Sequence, residues 1–138
     1  MNILFFLTPK SEVEFARSDS TIGEVIDILE RSTYTAIPII NRKGEYKGTI
    51  SEGDILWTLK NEADYNAKML MELKVSKIER RQNHEPVKVN AKVQDMVNRA
   101  MNQNFVPVID DDDVFIGIVK RKDILQYYFE QEGKRKEK

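Results

Sequence analysis

The stretch that decides the fold occurs twice in this chain. Residues 35–56 read TAIPIINRKGEYKGTISEGDIL, and residues 104–125 read NFVPVIDDDDVFIGIVKRKDIL. The two segments align without gaps, and an internal repeat of this kind indicates two copies of one structural unit. The matched positions that are identical are Pro38/Pro107, Ile40/Ile109, Gly48/Gly117, Asp54/Asp123, Ile55/Ile124 and Leu56/Leu125.

Both copies predict the same order of elements. Apolar residues recur at helical spacing from Ile22 and from Val93, and each set precedes an apolar run that contains the shared proline. That run, a polar turn and a second apolar run predict a hairpin, which a helix starting near Ser51 or Lys120 follows. The predicted strands are residues 13–16, 36–40, 46–50, 86–89, 105–109 and 115–119. The apolar residues that the last helices are predicted to bury are Ile55, Leu56, Leu59, Ile124, Leu125, Tyr128 and Phe129.

The expected fold class is therefore α/β, with two β-α-β-β-α repeats packed with pseudo-twofold symmetry. Neither half is large enough to bury its sheet and helices well alone, which favours packing one repeat on the other. We predict a first repeat at residues 1–60, a helical connector at 61–80 and a second repeat at 81–130. Residues 131–138 are highly charged and are predicted to form a disordered tail.

The composition excludes several classes of protein. The 138 residues carry a net charge of −1, whereas a general nucleic-acid binder is usually strongly basic. There is no cysteine, so disulfides and cysteine metal sites are excluded. The apolar run from Ile3 to Leu7 is too short for a targeting segment or a membrane span. We expect a cytoplasmic protein with no nucleic-acid or membrane partner.

Ser51 and Asp54 permit two interpretations. Their spacing at a helix start is that of a capping box, in which hydroxyl and carboxylate satisfy exposed backbone N–H groups. The same spacing suits a nucleotide, since helix N-termini bind phosphate and a carboxylate can accept hydrogen bonds from ribose hydroxyls. The second copy has Lys120 at the serine position but keeps Asp123. An aspartate kept without its capping partner favours the ligand interpretation.

These residues resemble a known family. The segments YTAIPII and GTISEGDIL, with FVPVI and GIVKRKDIL in the second half, resemble the CBS (cystathionine-β-synthase-type) domain, and the tandem pair resembles a Bateman module. The likeness covers nearly the whole chain. It implies a stand-alone regulatory module without enzymatic activity. Such pairs bind AMP, ADP, ATP, cyclic di-AMP or S-adenosylmethionine between the repeats, as a regulatory ligand rather than a required cofactor.

The resemblance also implies a set of nucleotide-binding residues. Backbone groups before each proline would bind the adenine edge, and Phe105 or Tyr34 could stack on the base or belong to the core. Arg121, with its planar guanidinium, is the best phosphate ligand in a basic run that could also be a solvated surface. The candidates are Tyr34, Thr35, Ala36, Ile37, Ser51, Asp54, Phe105, Val106, Lys120, Arg121, Lys122 and Asp123.

Other candidate sites are weaker. The four acids at Asp110 to Asp113 lack the glycine and the terminal glutamate of an EF-hand, so a turn is expected there. His84 is the only histidine, and no nucleophile elbow or P-loop occurs, so neither a metal nor catalysis is expected. We expect a homodimer, flat as in the family, that acts on a downstream protein. The alternative is a ligand-free protein–protein interaction module.

Overall fold

The computed structural model describes residues 1–62, 66–81 and 83–136. These residues form two compact units, each of mixed α/β structure. The first unit is Glu14–Asn83, and the second unit combines Met1–Val13 with His84–Lys138. The α/β class expected from the sequence is confirmed, and each unit contains one copy of the repeated hairpin and its flanking helices.

The first unit is a three-stranded sheet with helices. Strand β2 pairs in parallel with β3, and β3 pairs antiparallel with β4, which is the order that the repeat predicts. Its core contains Ile22, Val25, Ile37, Ile39 and Ile50, all at most 1% exposed. The elements of this unit are β2 (Ala16–Arg17), α1 (Ile22–Ser32), β3 (Ala36–Ile40), β4 (Tyr46–Ser51), α2 (Glu52–Asn61) and α3 (Ala67–Glu72).

The second unit has one strand more than the repeat predicts. An N-terminal strand, β1, pairs antiparallel with the last hairpin strand, so the sheet has the order β1-β7-β6-β5. Ile3 and Phe6 join its apolar core with Met96, Val106 and Val119. The elements are β1 (Leu7–Pro9), β5 (Val87–Lys88), α4 (Val93–Ala100), β6 (Phe105–Ile109), β7 (Phe115–Lys120) and α5 (Arg121–Lys136).

The structure differs from the sequence expectation at the N-terminus. Residues 1–13, which the sequence analysis assigned to the first repeat, pack within the second unit. The strand expected at residues 13–16 is β2, Ala16–Arg17, and Val13 instead ends a 3-10 turn in the second unit. The difference arises because β1 completes the edge of the second sheet, an interaction between residues too distant in sequence for local patterns to indicate.

The connector and the C-terminus also differ from expectation. The connector forms α3 and a 3-10 turn at Val75–Lys77 rather than one helix, and residues 63–65 lie outside the described part of the chain. Leu70, Val75 and Ile78 bury their side chains in the first unit's core. Helix α5 continues to Lys136, where the sequence predicted a disordered tail from 131. Glutamine, glutamate, lysine and arginine are good helix formers, which favours this extension.

The last helix of each unit buries fewer side chains than predicted. Ile124 is buried and Ile55 is half-buried, as expected. The prediction is wrong for the other residues, because a helix lying on one sheet can bury only one of its faces. The apolar residues that remain exposed are Leu56 at 57%, Leu59 at 39%, Leu125 at 63%, Tyr128 at 48% and Phe129 at 81%.

Candidate functional site

The hairpin of each unit brings the two candidate motifs together. In the first unit the register places Ala36 opposite Ser51, where β4 ends and α2 begins. In the second unit it places Phe105 opposite Lys120, where β7 ends and α5 begins. The residues before the proline and those at the helix start therefore form one group in each unit.

The residues expected to contact a base in the first unit have different degrees of exposure. Ile37 is fully buried in the core, Tyr34 and Ala36 are half-buried, and Thr35 is exposed. The carbonyl oxygen of Thr35 accepts a hydrogen bond from the N–H of Glu52 at 2.9 Å. The first N–H of α2 is therefore already paired within the protein.

Ser51 and Asp54 form a complete capping box. The Ser51 hydroxyl accepts from the N–H of Asp54 at 3.1 Å, and one Asp54 carboxylate oxygen accepts from the N–H of Ser51 at 2.9 Å. The other carboxylate oxygen accepts from the N–H of Arg81 at 2.9 Å. Asp54 is only 2% exposed, although it forms part of the wall of a polar cleft. The capping interpretation of this pair is confirmed.

A polar segment that no sequence motif indicated contacts this end of the first unit. We call the described residues Arg80, Arg81 and Asn83 the strap. The amide oxygen of Asn83 accepts from the backbone N–H of Thr49 at 3.2 Å and from the Arg80 side chain at 2.9 Å. Arg80 also donates to the carbonyl oxygen of Lys47 at 3.3 Å. The run of polar residues RRQN before the second repeat was the signal available in the sequence.

A polar cleft of about 410 Å³ lies between α2 and the chain that leads into the strap. Trp57 forms part of its wall, with the guanidinium of Arg81 4.8 Å from the centre of its ring. The ammonium of Lys60 lies 5.2 Å from the same ring. The cleft carries both acids and bases, such as Glu79 and Lys77, and has no strong preference for one charge.

Phe105 in the second unit does not present a free face for stacking on a base. Its side chain is 5% exposed, and its ring stacks on that of His84 with 4.3 Å between the ring centres. Of the two roles that the sequence left open for Phe105, this geometry fits a place in the core better than stacking on a base. Val106, the next candidate, is fully buried in the core and can offer only backbone atoms.

Two amide side chains hold the segment around His84 in place. The Asn104 side chain forms a 2.8 Å hydrogen bond with the His84 ring. Gln103, which is 6% exposed, accepts from the N–H of Glu85 and donates to its carbonyl oxygen. These contacts explain why His84 lies against Phe105, and they give this histidine a structural role.

The basic run begins at the C-terminal end of β7 and enters α5. Lys122 is exposed, and Lys120 and Arg121 are half-buried. One guanidinium nitrogen of Arg121 donates at 3.4 Å to the carbonyl oxygen of Ala100, the last residue of α4. This contact is long and uses one of the five N–H donors that an arginine carries.

Asp123 differs from Asp54 in its surroundings. Asp123 is half-buried, and among the described residues its carboxylate accepts no hydrogen bond. Lys120, at the position equivalent to Ser51, has no hydroxyl with which to form the cap. The structure therefore pairs and buries one of the two matched carboxylates and leaves the other open.

The four-aspartate segment forms a turn, as predicted. One carboxylate oxygen of Asp110 accepts from the N–H groups of Asp112 and Val114, and Asp113 has a positive φ of 65°. Across the described residues, no cluster of three or more histidine, aspartate or glutamate side chains is arranged to hold a metal ion. Nor does that part of the chain include a helix long and apolar enough to cross a membrane.

Comparison with known proteins identifies similar sequences and folds. A family model described as "CBS domain" matches the chain twice, over residues 7–61 and 75–130. A crystal structure of CbpB in complex with c-di-AMP is 21% identical, has a TM-score of 0.87, and aligns over 99% of this chain and 90% of that chain. Comparison with curated proteins gave no match.

Two further structures have the same fold. The CbpB protein of Listeria monocytogenes, in complex with c-di-AMP, is 20% identical with a TM-score of 0.82, over 94% of this chain and 96% of that chain. CBSX2 in complex with AMP is 18% identical with a TM-score of 0.75, over 95% of this chain and 98% of that chain. At these identities the likeness shows the fold and leaves the ligand of this chain undetermined.

Proposed function

Because this chain belongs to the CBS domain family and carries two copies of the domain, we propose that it is a regulatory module that binds an adenine nucleotide. The ligand is AMP, ADP, ATP or cyclic di-AMP, bound reversibly and without a chemical reaction. Similar folds that bind c-di-AMP or AMP support this class of ligand. Such a module works in the cytoplasm, where these nucleotides are made.

The observation that carries the proposal is the open carboxylate beside a basic run in the second unit. Asp123 is half-exposed at the start of α5, and Lys120, Arg121 and Lys122 directly precede it. Arg121 and Lys122 lie in the first turn of α5, where cations oppose the helix dipole and a bound anion would be favourable. AMP, ADP or ATP supplies that anion in its phosphate and two ribose hydroxyls for the carboxylate.

The proposed roles follow from the chemistry of each side chain. Asp123 accepts hydrogen bonds from the ribose hydroxyls, as acidic residues do in dinucleotide-binding folds. Arg121 binds phosphate with its planar guanidinium, exchanging its long contact to Ala100 for a charge-assisted one. Lys120 and Lys122 add positive charge. Backbone groups at Phe105 and Val106 bind the adenine edge.

The test is calorimetric titration of the purified protein with AMP, ADP, ATP and cyclic di-AMP. We expect saturable binding of at least one of them. Asp123→Ala and Arg121→Ala should each weaken it about 10-fold or more, since hydrogen bonds to charged groups contribute about 1.5–3 kcal/mol. Asp111→Ala, which removes the same charge from an exposed position of the turn in the same unit, is the control. No binding at millimolar nucleotide would refute the proposal.

We also propose that two copies of the chain associate through their exposed apolar helix faces. On α5, Leu125, Tyr128 and Phe129 lie three and four positions apart and share one face. Contiguous exposed apolar surface of this kind marks association sites. Analytical ultracentrifugation should show a dimer that Leu125→Ser with Phe129→Ser converts to monomer. A wild-type protein that is monomeric at tens of micromolar would contradict this.

The same exposed face supports a second candidate function, a ligand-free module that only binds a partner protein. It differs from the first in its response to nucleotide. If the downstream partner binds equally well with and without nucleotide, and calorimetry detects no ligand, the interaction module is the better description. A regulatory module instead requires that the ligand bind two arrangements with different affinity.

A further inference from the structure

We propose that the two repeats are functionally unequal, and that the strap of Arg80, Arg81 and Asn83 occupies the first repeat in place of a nucleotide. The chain then binds one nucleotide, in the second repeat. This inference rests on the proposed function and specifies which of its two matched sites is filled. Asp54 and Asp123 occupy equivalent positions in the two repeats but have different surroundings.

A ribose needs a hydrogen-bond acceptor, which in the first repeat would be the carboxylate of Asp54. Both carboxylate oxygens of Asp54 already accept from backbone N–H groups, those of Ser51 and Arg81, each at 2.9 Å. A carboxylate has capacity for further hydrogen bonds, but this side chain is 2% exposed. Asp54 lines the polar cleft, but a ribose hydroxyl would compete there with the Arg81 N–H for the carboxylate. The bond from Arg81 is not part of the capping box, so helix capping alone does not explain it.

The strap packs closely against strand β4. Asn83 and Arg80 pack so closely on Gly48 that a Cβ at this position would lie 2.6 Å from the Asn83 amide oxygen and 2.9 Å from an Arg80 nitrogen. The Asn83 oxygen also accepts from the backbone N–H of Thr49, which is in a strand. The strap therefore bonds to the backbone of β4 as well as to Asp54.

A third contact holds the strap on its other side. The Arg81 guanidinium lies over the ring of Trp57, 4.8 Å from its centre, within the range of cation–π attraction. The backbone of Arg81 thus contacts Asp54 and its side chain contacts Trp57, three residues along α2. Both contacts hold Arg81 over the start of α2, in the wall of the polar cleft.

In the second repeat, none of the described residues donates a hydrogen bond to the matched carboxylate of Asp123. The position that corresponds to Arg81 in the repeat is Glu12, 69 positions earlier, which is exposed and bears the opposite charge. Gly117, the counterpart of Gly48, is approached instead by the backbone of β1, with the Thr8 carbonyl oxygen nearest. Within the described residues nothing donates to Asp123, which remains available to a ligand.

The experiment compares equivalent substitutions in the two repeats by calorimetry with AMP, which has one ribose and does not link two sites. We expect one AMP per wild-type chain. Asp123→Asn should weaken binding about 10-fold or more, whereas Asp54→Asn should change affinity less than about 3-fold. Two AMP molecules per wild-type chain, or loss of binding in a folded Asp54→Asn variant with Asp123→Asn unaffected, would overturn the inference.

A second measurement tests whether Asp54 holds the strap in place, and it requires no ligand. Amide hydrogen exchange in the wild-type protein should be slow at Arg81, and Asp54→Asn should accelerate it at least 10-fold while exchange in β6 stays unchanged. Arg81→Ala, which keeps the N–H and removes the contact with Trp57, should have a smaller effect. Fast exchange at Arg81 in the wild type overturns the inference. If no nucleotide binds but exchange at Arg81 is slow, the proposed function is refuted, whereas the assignment of the strap to the first repeat is supported.

Discussion

At the scale of single residues, a glycine at the same position of each repeat makes room for a different neighbour. Gly48 and Gly117 occupy matched positions and have positive φ values of 138° and 156°. Gly48 makes room for the side chains of the strap, whereas Gly117 makes room for the backbone of β1. The sequence marks both glycines as repeated, but it does not say what approaches them, because both neighbours come from outside the repeated segment.

Replacing Gly117 should therefore cost more stability than replacing Gly48. A Cβ at 117 would lie 2.2 Å from the Thr8 carbonyl oxygen, and backbone cannot move aside as a side chain can. We expect Gly117→Ala to destabilise the protein by more than about 2 kcal/mol, which is typical of a strained backbone position. Gly48→Ala should cost less, because the ends of Asn83 and Arg80 can shift. Urea denaturation measures both.

Gly133 provides the control for these two variants. It lies within α5 with nothing in the described structure within 4 Å of its added Cβ. Gly133→Ala should stabilise the helix by up to about 1 kcal/mol, the difference in helix propensity. Equal losses at 48 and 117 would contradict the distinction between side-chain and backbone neighbours.

At the scale of elements, Ser51 with Asp54 caps α2, as their spacing predicted. The structure adds a second capping box, in which Thr21 with Glu24 caps α1. Capping depends on residues three positions apart, which is why the sequence alone reveals it. The face that each helix buries depends on the sheet beneath it, and that is why Leu125 and Phe129 were wrongly expected to be buried.

Removing either cap hydroxyl should produce a measurable and similar loss. We expect Ser51→Ala and Thr21→Ala each to lower the free energy of unfolding by about 1 kcal/mol. Ser51→Ala should leave AMP binding unchanged if the second repeat holds the nucleotide. Thermal denaturation with and without AMP separates the two effects. A Ser51→Ala protein of wild-type stability that fails to bind AMP would contradict this assignment.

At the scale of the whole molecule, the sequence predicted the two repeats and their order of elements but not the membership of the terminal segment. The repeated hairpins are local, and their registers follow from matched apolar patterns. The pairing of β1 with β7 places Leu7 opposite Val119, and no local sequence pattern predicts it. No local pattern indicates the position of the strap either, because its hydrogen bonds join one short polar stretch to residues that lie much earlier in the sequence.

Deleting residues 1–9 should consequently destabilise the second unit and leave the first unit intact. The deletion removes β1 together with Ile3 and Phe6, which are 0% and 6% exposed, and leaves the edge of β7 unpaired. Hydrogen exchange should accelerate in β7 and α5 but not in β3 and β4. Faster exchange confined to β3 and β4 would contradict the assignment of this segment to the second unit.

The placement of β1 also has a consequence for synthesis. A ribosome makes β1 more than a hundred residues before the strand with which it pairs, since Val119 follows Leu7 by 112 positions (119 − 7). At about 5–20 residues per second, the apolar run around Phe5 and Phe6 waits roughly 6–22 seconds for that partner. The first unit is complete before then, so β1 emerges before that unit and can pair only after it has been made.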